Sequence, residues 1–365
     1  RNRAKYLKNI RGSDKVVFGI FYGQNAALME ENKMFENLIE VLKNDPRKIV
    51  YTEGSDARIL ESAARLKKDG FLTPILVGNV DEVKAAAAKG GFDIEGLEIL
   101  DPATYEGMDA MVDEMVALRK GKMSAEDCRA ALSKGNYFGT MLVKMGVADC
   151  LLGGATYSTA DTVRPALQLV KTKKGAHLVS SCFIMIRGDE TLAMGDCAIN
   201  IDYQDTVDKE GNVTFTAAQK LAEVAVATAE TAKVFGIDPK VAMLSYSTKG
   251  SGKGPNVDLV RNATEEAKKL APELKLDGEM QFDAAVSPVV GQLKFPGSPV
   301  AGYANTFIFP EIQSGNIGYK IAARLGGFAA YGPILQGLNA PINDLSRGCN
   351  AEEVYQMSII TAALK

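Results

Sequence analysis

The feature that most constrains the fold is an alternation of strand-like and helix-like segments that begins at Met34. A strand is predicted at 48–53, a helix at 56–69, a strand at 74–78 and a helix near 81–89. Strands that alternate with helices in this way are typical of a parallel sheet covered by helices. The sequence therefore predicts an α/β fold.

The alternation continues and then changes near residue 175. The further elements predicted before the change are strands 97–100 and 148–153 and helices 108–119, 125–133 and one that begins after Thr159. Two β-rich runs, 178–187 and 191–200, follow it and are joined by Gly188-Asp189-Glu190, which predicts a hairpin. A second domain is therefore expected to begin there.

The remainder of the chain predicts a second set of helices and strands. Its predicted elements are helices 217–235, 257–270, 320–325 and 351–364 and strands 241–247 and 306–309. Asn350 and Glu353, at the start of the last helix, have the spacing of a capping box. The apolar run 329–335 is expected to return to the first sheet, so that the C-terminal segment completes the first domain.

The length of the chain, 365 residues, indicates two domains, because single cores rarely grow past about 250–300 residues. We expect domain I to comprise 34–175 and 328–365, and domain II to comprise 176–327. Residues 1–33 lie outside the alternating pattern and are interpreted as a leader or appended segment. Deleting them is expected to leave fold and activity intact.

Composition excludes several classes of protein. The net charge of -3, with lysines and arginines scattered among carboxylates, gives no general attraction for nucleic acid. No apolar run approaches the ~20 residues that span a bilayer. The five cysteines form no C-x-x-C pair and there is one histidine, so no metal site is predicted. Free thiols of this kind indicate a cytoplasmic protein.

The segment 153–165, GGATYSTADTVRP, places a glycine turn and several hydroxyl residues between a predicted strand and a predicted helix. The amides at a helix start and the positive end of its dipole favour a phosphoryl group, and Arg164 can add a planar fork. The alternative is that Ser158 or Thr159 only caps the helix and Arg164 is a surface charge. The pattern leaves both interpretations open.

Polar residues are dense in the segment 341–349, PINDLSRGC, just before the last predicted helix. Loops after strands of an α/β sheet are where ligands bind. Asp344 and Arg347 can equally form an ion pair with each other. By the same physical reasoning Arg119, at a helix end, is interpreted as a solvated side chain.

A glycine- and lysine-rich segment, 249–256 with the sequence KGSGKGPN, joins a predicted strand to a predicted helix. It lacks the spacing of a nucleotide-binding P-loop, and no dinucleotide fingerprint follows an early strand. It is interpreted as a flexible turn, with contact to a coenzyme phosphate as the alternative.

Taken together, several segments resemble the phosphate acetyltransferase family, within the phosphate acetyl/butyryltransferases. The matching segments are TEGSDARIL (52–60), LRKGK (118–122), STADTVRPALQ (158–168), STKGSGKGPNVD (247–258), QSGNIGYK (313–320) and PINDLSRGC (341–349). They occur in the family's order across nearly all of 34–365.

The resemblance implies two α/β domains of the isocitrate/isopropylmalate dehydrogenase-like fold, with an active-site cleft between them, in a homodimer. It also implies the reaction of acetyl-CoA with phosphate to give acetyl phosphate and CoA. The reaction is expected to proceed in a ternary complex without an acyl-enzyme, so coenzyme A is a substrate and no cofactor is expected. Cys349 and Cys197 are accordingly expected to be dispensable.

Residue roles follow from the same resemblance. Arg347 and Arg164 are expected to bind the phosphoryl group, Arg119 to hold the anionic substrates, and Ser346 to donate a hydrogen bond to the transition state. The remaining expected contacts with substrate are Ser158, Thr159, Asn343, Asp344, Asn316, Tyr319 and Lys320. Asn316, Tyr319 and Lys320 are equally well explained as a helix start packed on the sheet.

Glu353 stands where family members often carry an aspartate that accepts the proton of the CoA thiol. It is also the capping-box residue, so two roles compete for one carboxylate. One close alternative stays open, transfer of a longer acyl group such as butyryl, which pocket volume would decide. A non-catalytic binding role is disfavoured, because polar donors fill several predicted strand-end loops at once. An NAD(P)-dependent decarboxylating dehydrogenase of the same fold is disfavoured, because no clustered aspartates for its metal are recognised.

Overall fold

The structure is a computed structural model that describes residues 33–365. Its first half contains helix α1 (33–44), β1 (Arg47–Tyr51), α2 (Ala57–Asp69), β2 (Leu72–Val77), α3 (Val80–Gly90), β3 (Glu98–Leu100), α4 (Met108–Arg119), α5 (Ala125–Leu132), α6 (Gly135–Lys144), β4 (Cys150–Gly153) and α7 (Thr159–Pro165). Its second half contains β5 (Ser180–Arg187), β6 (Glu190–Gly195), β7 (Thr206–Val207), β8 (Val213–Phe215), α8 (Ala217–Val234), β9 (Lys240–Leu244), α9 (Pro255–Leu270), β10 (Lys275–Met280), α10 (Phe282–Val286), α11 (Pro288–Lys294), β11 (Thr306–Ile308), α12 (Ile312–Arg324), β12 (Ala329–Gln336), β13 (Ile342–Asp344) and α13 (Ala351–Ala363).

The first sheet has five parallel strands in the order β13-β4-β1-β2-β3. In β1, Ile49, Val50 and Tyr51 have no exposed surface, so both faces of the strand are covered. Such continuous apolar strands are typical of parallel sheets with helices on both sides. The predicted α/β class is therefore confirmed.

Helix α6 was not predicted, because its sequence carries two glycines and few strong helix formers. The glycines are explained by packing against the loop after β1. A Cβ on Gly135 would lie 2.5 Å from the Thr52 carbonyl oxygen, and one on Gly139 would lie 2.8 Å from the Thr52 side chain. The glycines therefore lower the helix propensity of this segment but allow the helix to pack closely against the sheet.

The second sheet has six strands in the order β10-β9-β11-β6-β5-β12. Strands β5 and β6 pair antiparallel around the turn at Gly188, as the hairpin signal predicted. The strand β12 pairs antiparallel with β5, from Ala329 opposite Ile186 to Gln336 opposite Ser180. The prediction that 329–335 returns to the first sheet is therefore wrong, and the short strand β13 takes that place instead.

Helix α12 begins at Ile312, earlier than predicted, because Glu311 caps it by accepting hydrogen bonds from the amides of Gln313 and Ser314. Among the described residues, no helix combines the length and apolar character needed to cross a bilayer. The expected leader, 1–33, lies outside the described residues except for residue 33. The domain ranges remain a prediction.

Candidate active site

Three loops meet at one edge of the first sheet. Strands β1, β4 and β13 are neighbours and run parallel, so the loops that follow them, 52–56, 154–158 and 345–350, lie at the same edge. The amide of Leu345 donates to the carbonyl oxygen of Gly153 at 2.7 Å and joins the loop after β13 to the end of β4. The carboxyl ends of parallel strands are where α/β proteins bind ligands, so this edge is the candidate site.

Asp344 is a buried carboxylate that binds helix α7. It is 3% exposed and accepts hydrogen bonds from Thr159 Oγ1 and Thr162 Oγ1, each at 2.6 Å. Burial raises the pKa of Asp344, although the two hydroxyl donors act in the opposite direction. The carboxylate therefore pairs with these threonines, and not with Arg347 as the alternative interpretation allowed.

Glu53 joins the loop after β1 to the loop after β4. One of its oxygens accepts hydrogen bonds from the amide and the hydroxyl of Thr156, at 2.9 and 3.1 Å, and the other accepts from Thr52 Oγ1 at 2.9 Å. Burial raises the pKa of Glu53. A cavity of about 550 Å³ opens beside it, lined in part by Thr156, Ser55 and Asn79. Glu53 was not predicted as a site residue, although its position directly after a strand could have indicated it.

Arg58 holds the loop after β13, 345–350, through hydrogen bonds to main-chain carbonyl oxygens of that loop. Its guanidinium donates to the carbonyl oxygens of Arg347 at 2.9 Å, Cys349 at 3.1 Å and Ala155 at 2.9 Å. The same group makes an ion pair with Asp56, whose carboxylate accepts from it at 2.8 Å. Arg58 lies in the segment TEGSDARIL, but the sequence did not show that its partners would be backbone carbonyls.

Ser346 and Arg347 are exposed at the tip of this loop. Ser346 Oγ accepts a hydrogen bond from the amide of Gly348 at 3.2 Å, which leaves its hydroxyl proton available. Within residues 33–365, no hydrogen bond or ion pair involves the guanidinium of Arg347. A cation is therefore presented to solvent beside a hydroxyl donor.

Arg164 is exposed on α7 and lines a cavity of about 450 Å³ together with Lys134. Asp127 and Asp161 line the same cavity, so the local charge is mixed. Ser158 donates from its hydroxyl to Asp161 at 2.7 Å in a capping box, which supports the capping interpretation of Ser158. No partner among the described residues binds the Arg164 guanidinium.

Arg119 lies at the end of α4, and its Nε is buried without a hydrogen-bond partner among the described residues. No hydrogen bond or ion pair within 33–365 connects it with the three loops. The role of Arg119 in holding the anionic substrates stays a prediction.

Two further predicted residues have structural partners. Asn343 is fully buried, and its amide accepts from the Leu335 amide at 2.8 Å and donates to Thr361 Oγ1 at 2.9 Å, so neither end is free for substrate. Glu353 is exposed and accepts from the amide of Asn350 at 3.1 Å in the predicted capping box. The cap is confirmed, and the role of Glu353 as a base stays a prediction.

Asn316, Tyr319 and Lys320 lie on helix α12. The Asn316 side chain donates to the Cys197 carbonyl oxygen at 3.1 Å and accepts from Lys320 Nζ at 2.8 Å. The ring of Tyr319 stacks on Phe183 with 4.0 Å between ring centroids. These contacts fit packing against the second sheet, and binding of substrate by these residues stays a prediction.

The glycine- and lysine-rich loop before α9 uses its own amides internally. The amide of Gly250 donates to Glu279 Oε1 at 2.7 Å, and the amide of Gly252 donates to Ser247 Oγ at 2.9 Å. Arg261 Nε donates to the second oxygen of Glu279 at 3.4 Å. One of these loop amides therefore binds a carboxylate of the chain and the other a hydroxyl of the chain, which favours the structural interpretation of this loop.

The cysteines are buried free thiols. Burial raises the pKa of both Cys349 and Cys197, which lowers their thiolate fraction near neutral pH. Among residues 33–365 no group of histidine, cysteine, aspartate and glutamate side chains could hold a metal ion. Neither the cysteines nor a metal-ligand group among these residues therefore indicates an enzyme nucleophile at the edge where the three loops meet.

Comparisons with known proteins agree with the resemblance seen in the sequence. The sequence model of the phosphate acetyl/butaryl transferase family matches residues 33–362. A phosphate acetyltransferase of Bacillus subtilis (strain 168) is 52% identical over 332 residues, which cover 90% of this chain and 98% of that protein. A phosphotransacetylase structure from Streptococcus pyogenes is 54% identical with a TM-score of 0.86, covering 91% of this chain and 98% of that one. The EutD phosphotransacetylase structure from Staphylococcus aureus is 48% identical with a TM-score of 0.83 and the same coverage. The chain therefore belongs to the phosphate acetyl/butaryl transferase family of enzymes.

Proposed function

We propose that this chain catalyses the reversible transfer of an acetyl group between coenzyme A and inorganic phosphate. In the direction of acetyl-CoA formation, the CoA thiolate attacks acetyl phosphate directly within a ternary complex. The relatives named phosphate acetyltransferase and phosphotransacetylase support the choice of acetyl and phosphate. Coenzyme A is then a substrate, and the reaction needs no resident cofactor.

The observation that carries the proposal is the unpartnered guanidinium of Arg347 beside the Ser346 hydroxyl, on a loop that Arg58 holds in place. Acyl transfer to phosphate builds negative charge on the carbonyl oxygen and on the phosphoryl oxygens. Fixed donors aimed at that charge stabilise the transition state, and an arginine can bind two phosphoryl oxygens at once. Ser346 would donate to the transition state and Arg347 would hold the phosphoryl group.

The remaining contacts with substrate are proposed for residues on other elements. Arg164 is the proposed second phosphoryl ligand, because its guanidinium is exposed and has no hydrogen-bond or ion-pair partner among the described residues. Arg119, with its buried and unpartnered Nε, is proposed to meet the anionic part of coenzyme A. Asn316, Tyr319 and Lys320 are proposed to line the acetyl pocket across an interdomain cleft.

Glu353 is the proposed base for the CoA thiol. An unperturbed thiol has a pKa near ~8.5, so most of it is protonated at neutral pH. A positioned carboxylate accelerates such proton transfers by about 10²–10⁴. Glu353 is exposed and stands at the start of α13, a short distance along the chain from Ser346.

The test is to incubate the protein with acetyl phosphate and CoA and to follow thioester absorbance. Formation of acetyl-CoA at a rate proportional to enzyme supports the proposal, and no thioester with the folded protein would remove it. Butyryl phosphate in a parallel assay decides the acyl group. A higher kcat/KM with butyryl phosphate would replace acetyl by the longer chain.

We also propose a homodimer in the cytoplasm. Val289 and Leu293, four residues apart on α11, are 79% and 80% exposed, which favours a covering partner. Light scattering after size exclusion tests this, with Leu293→Asp expected to yield monomer if this face is covered. A monomeric wild-type protein would rule the dimer out.

A further inference from the structure

We infer that Asp344 is a positioning residue that fixes helix α7, and with it Arg164, relative to Arg347. The inference rests on the proposed function, in which these two arginines hold the phosphoryl group. It assigns Asp344 and Thr162 to alignment of the site and not to contact with substrate.

The first part of the argument is the place of Asp344 in the fold. It ends strand β13, so the sheet fixes its main chain, and Arg347 follows three residues later. Gly154 lies directly against the carboxylate, because a Cβ at that residue would come within 2.2 Å of Asp344 Oδ1. A side chain this confined has one orientation, and that orientation faces α7.

The second part is the pair of bonds that the carboxylate accepts. Thr159 and Thr162 lie one turn apart on the same face of α7, and each donates to a different oxygen of Asp344. A single hydrogen bond would let this seven-residue helix rotate about the bond, whereas two hydrogen bonds spaced one turn apart fix the orientation of the helix. Arg164 lies two residues beyond Thr162, so its direction is set by the same contact.

The third part concerns charge. A free carboxylate beside a phosphoryl group would repel it, and neighbouring like charges oppose ionisation of both groups. Asp344 is 3% exposed and Thr162 is 2% exposed, so the charge is enclosed with its donors and faces away from solvent. Asp344 therefore contributes order to the site without presenting its charge to the anion.

The test compares Asp344→Asn, Thr162→Val and Thr162→Ser with wild type in steady-state kinetics and in amide hydrogen exchange. We expect Asp344→Asn to raise the KM for acetyl phosphate by on the order of 10²-fold and Thr162→Val by roughly tenfold, since small misplacements of binding groups have effects of that size. The KM for CoA should stay within about threefold. Thr162→Ser, which keeps the hydroxyl, should behave as wild type.

Amide exchange gives a readout that does not depend on the reaction. Exchange across 159–165 should become faster in Asp344→Asn and Thr162→Val, and stay unchanged in Thr162→Ser. Asp277→Asn is the matched control, because Asp277 is another buried carboxylate. It lies on β10 in the second sheet and forms an ion pair with Lys268 of α9. The substitution should lower stability without changing either KM.

The outcomes are distinct. Unchanged exchange across α7 and an acetyl phosphate KM within twofold of wild type, in folded variants, overturn the inference. A fall in kcat with both KM values unchanged also overturns it, because that indicates a purely structural loss. If Asp344→Asn does not fold, the two Thr162 variants decide the question alone. If the wild type forms no acetyl-CoA, the proposed function fails. The exchange data then still decide whether the hydrogen bonds of Asp344 to Thr159 and Thr162 hold α7 in place.

Discussion

Arg58 donates a hydrogen bond to the main-chain carbonyl oxygen of Arg347 across 2.9 Å, so one arginine fixes the backbone of another. The guanidinium also reaches Cys349 and Ala155, and thereby ties together the loops after β4 and β13. We predict that Arg58→Lys lowers kcat by at least about tenfold, because an ammonium cannot reproduce the planar fork that serves several acceptors. The measurement is the rate of acetyl-CoA formation.

A surface arginine on the same helix provides the control for this change. Arg65 pairs with Glu352, and both side chains are about half exposed. Exposed ion pairs contribute only about 0–1 kcal/mol, so Arg65→Lys should leave kcat nearly unchanged. Equal rates for the two variants would mean that Arg58 acts only as a surface charge.

Local signals in the sequence predicted many of the elements but missed α6, β7, β8, β10, α10 and α11, and the sequence did not determine long-range pairing. The Asn350 and Glu353 capping box and the hairpin at Gly188 depend on residues a few positions apart, so the pattern contains the whole interaction. The strand β12 pairs with β5, more than a hundred residues earlier. An apolar run such as 329–335 fits a buried strand in either sheet, and nothing local decides between them.

The candidate site shows the same division. The sequence revealed that Thr159 and Asp344 are able to hydrogen bond, but not that they would bind each other. Asn343 and Ser346 are both polar residues of the segment 341–349 and were both expected to contact substrate. In the fold Asn343 is buried and Ser346 is exposed. Burial depends on the packing of β13 against α13, which a motif does not encode.

Glu353 allows cap and base to be separated by one substitution. Glutamine at this position of a capping box still accepts from the Asn350 amide, but it cannot take a proton from a thiol. We predict that Glu353→Gln keeps its melting temperature and lowers the rate of acetyl-CoA formation by about 10²-fold or more.

The matched control for that change is Asn350→Ala, which removes the other half of the cap. It should lower the free energy of unfolding by about 0.5–2 kcal/mol while the rate per folded molecule is retained. A fully active Glu353→Gln enzyme would show that Glu353 caps α13 and does not act as the base.

Glu53 should make stability depend on pH in a predictable direction. Burial raises its pKa in the folded protein above the ~4.3 of an exposed glutamate, so the folded state holds its proton more tightly than the unfolded state. The stability from this proton is fully present below the unfolded pKa and is lost as pH rises through the folded pKa. The free energy of unfolding of wild type minus that of Glu53→Gln should therefore fall as pH rises through this window.

Urea denaturation of both proteins at a series of pH values measures this difference. Carboxylates that do not interact with Glu53 are common to both proteins and cancel in the subtraction. A difference that rises with pH would show that the hydrogen bonds from Thr156 and Thr52 outweigh burial in setting the protonation of Glu53.

Arg347→Lys is the most direct test of the phosphoryl site. The substitution keeps the positive charge beside Ser346 but removes the bidentate geometry that phosphoryl oxygens require, so we predict a fall in kcat of roughly 10²-fold or more. Arg347→Ala should fall further. Because the Arg347 guanidinium has no protein partner within residues 33–365, neither change removes a folding contact, and circular dichroism should show both variants folded.

The control is Arg187→Lys, which should keep the wild-type rate. Arg187 is an exposed arginine of the second sheet that pairs with Glu190. A folded Arg347→Lys enzyme within about threefold of wild type would remove Arg347 from the site. The phosphoryl group would then have to be placed at Arg164, on the cavity that this residue shares with Lys134.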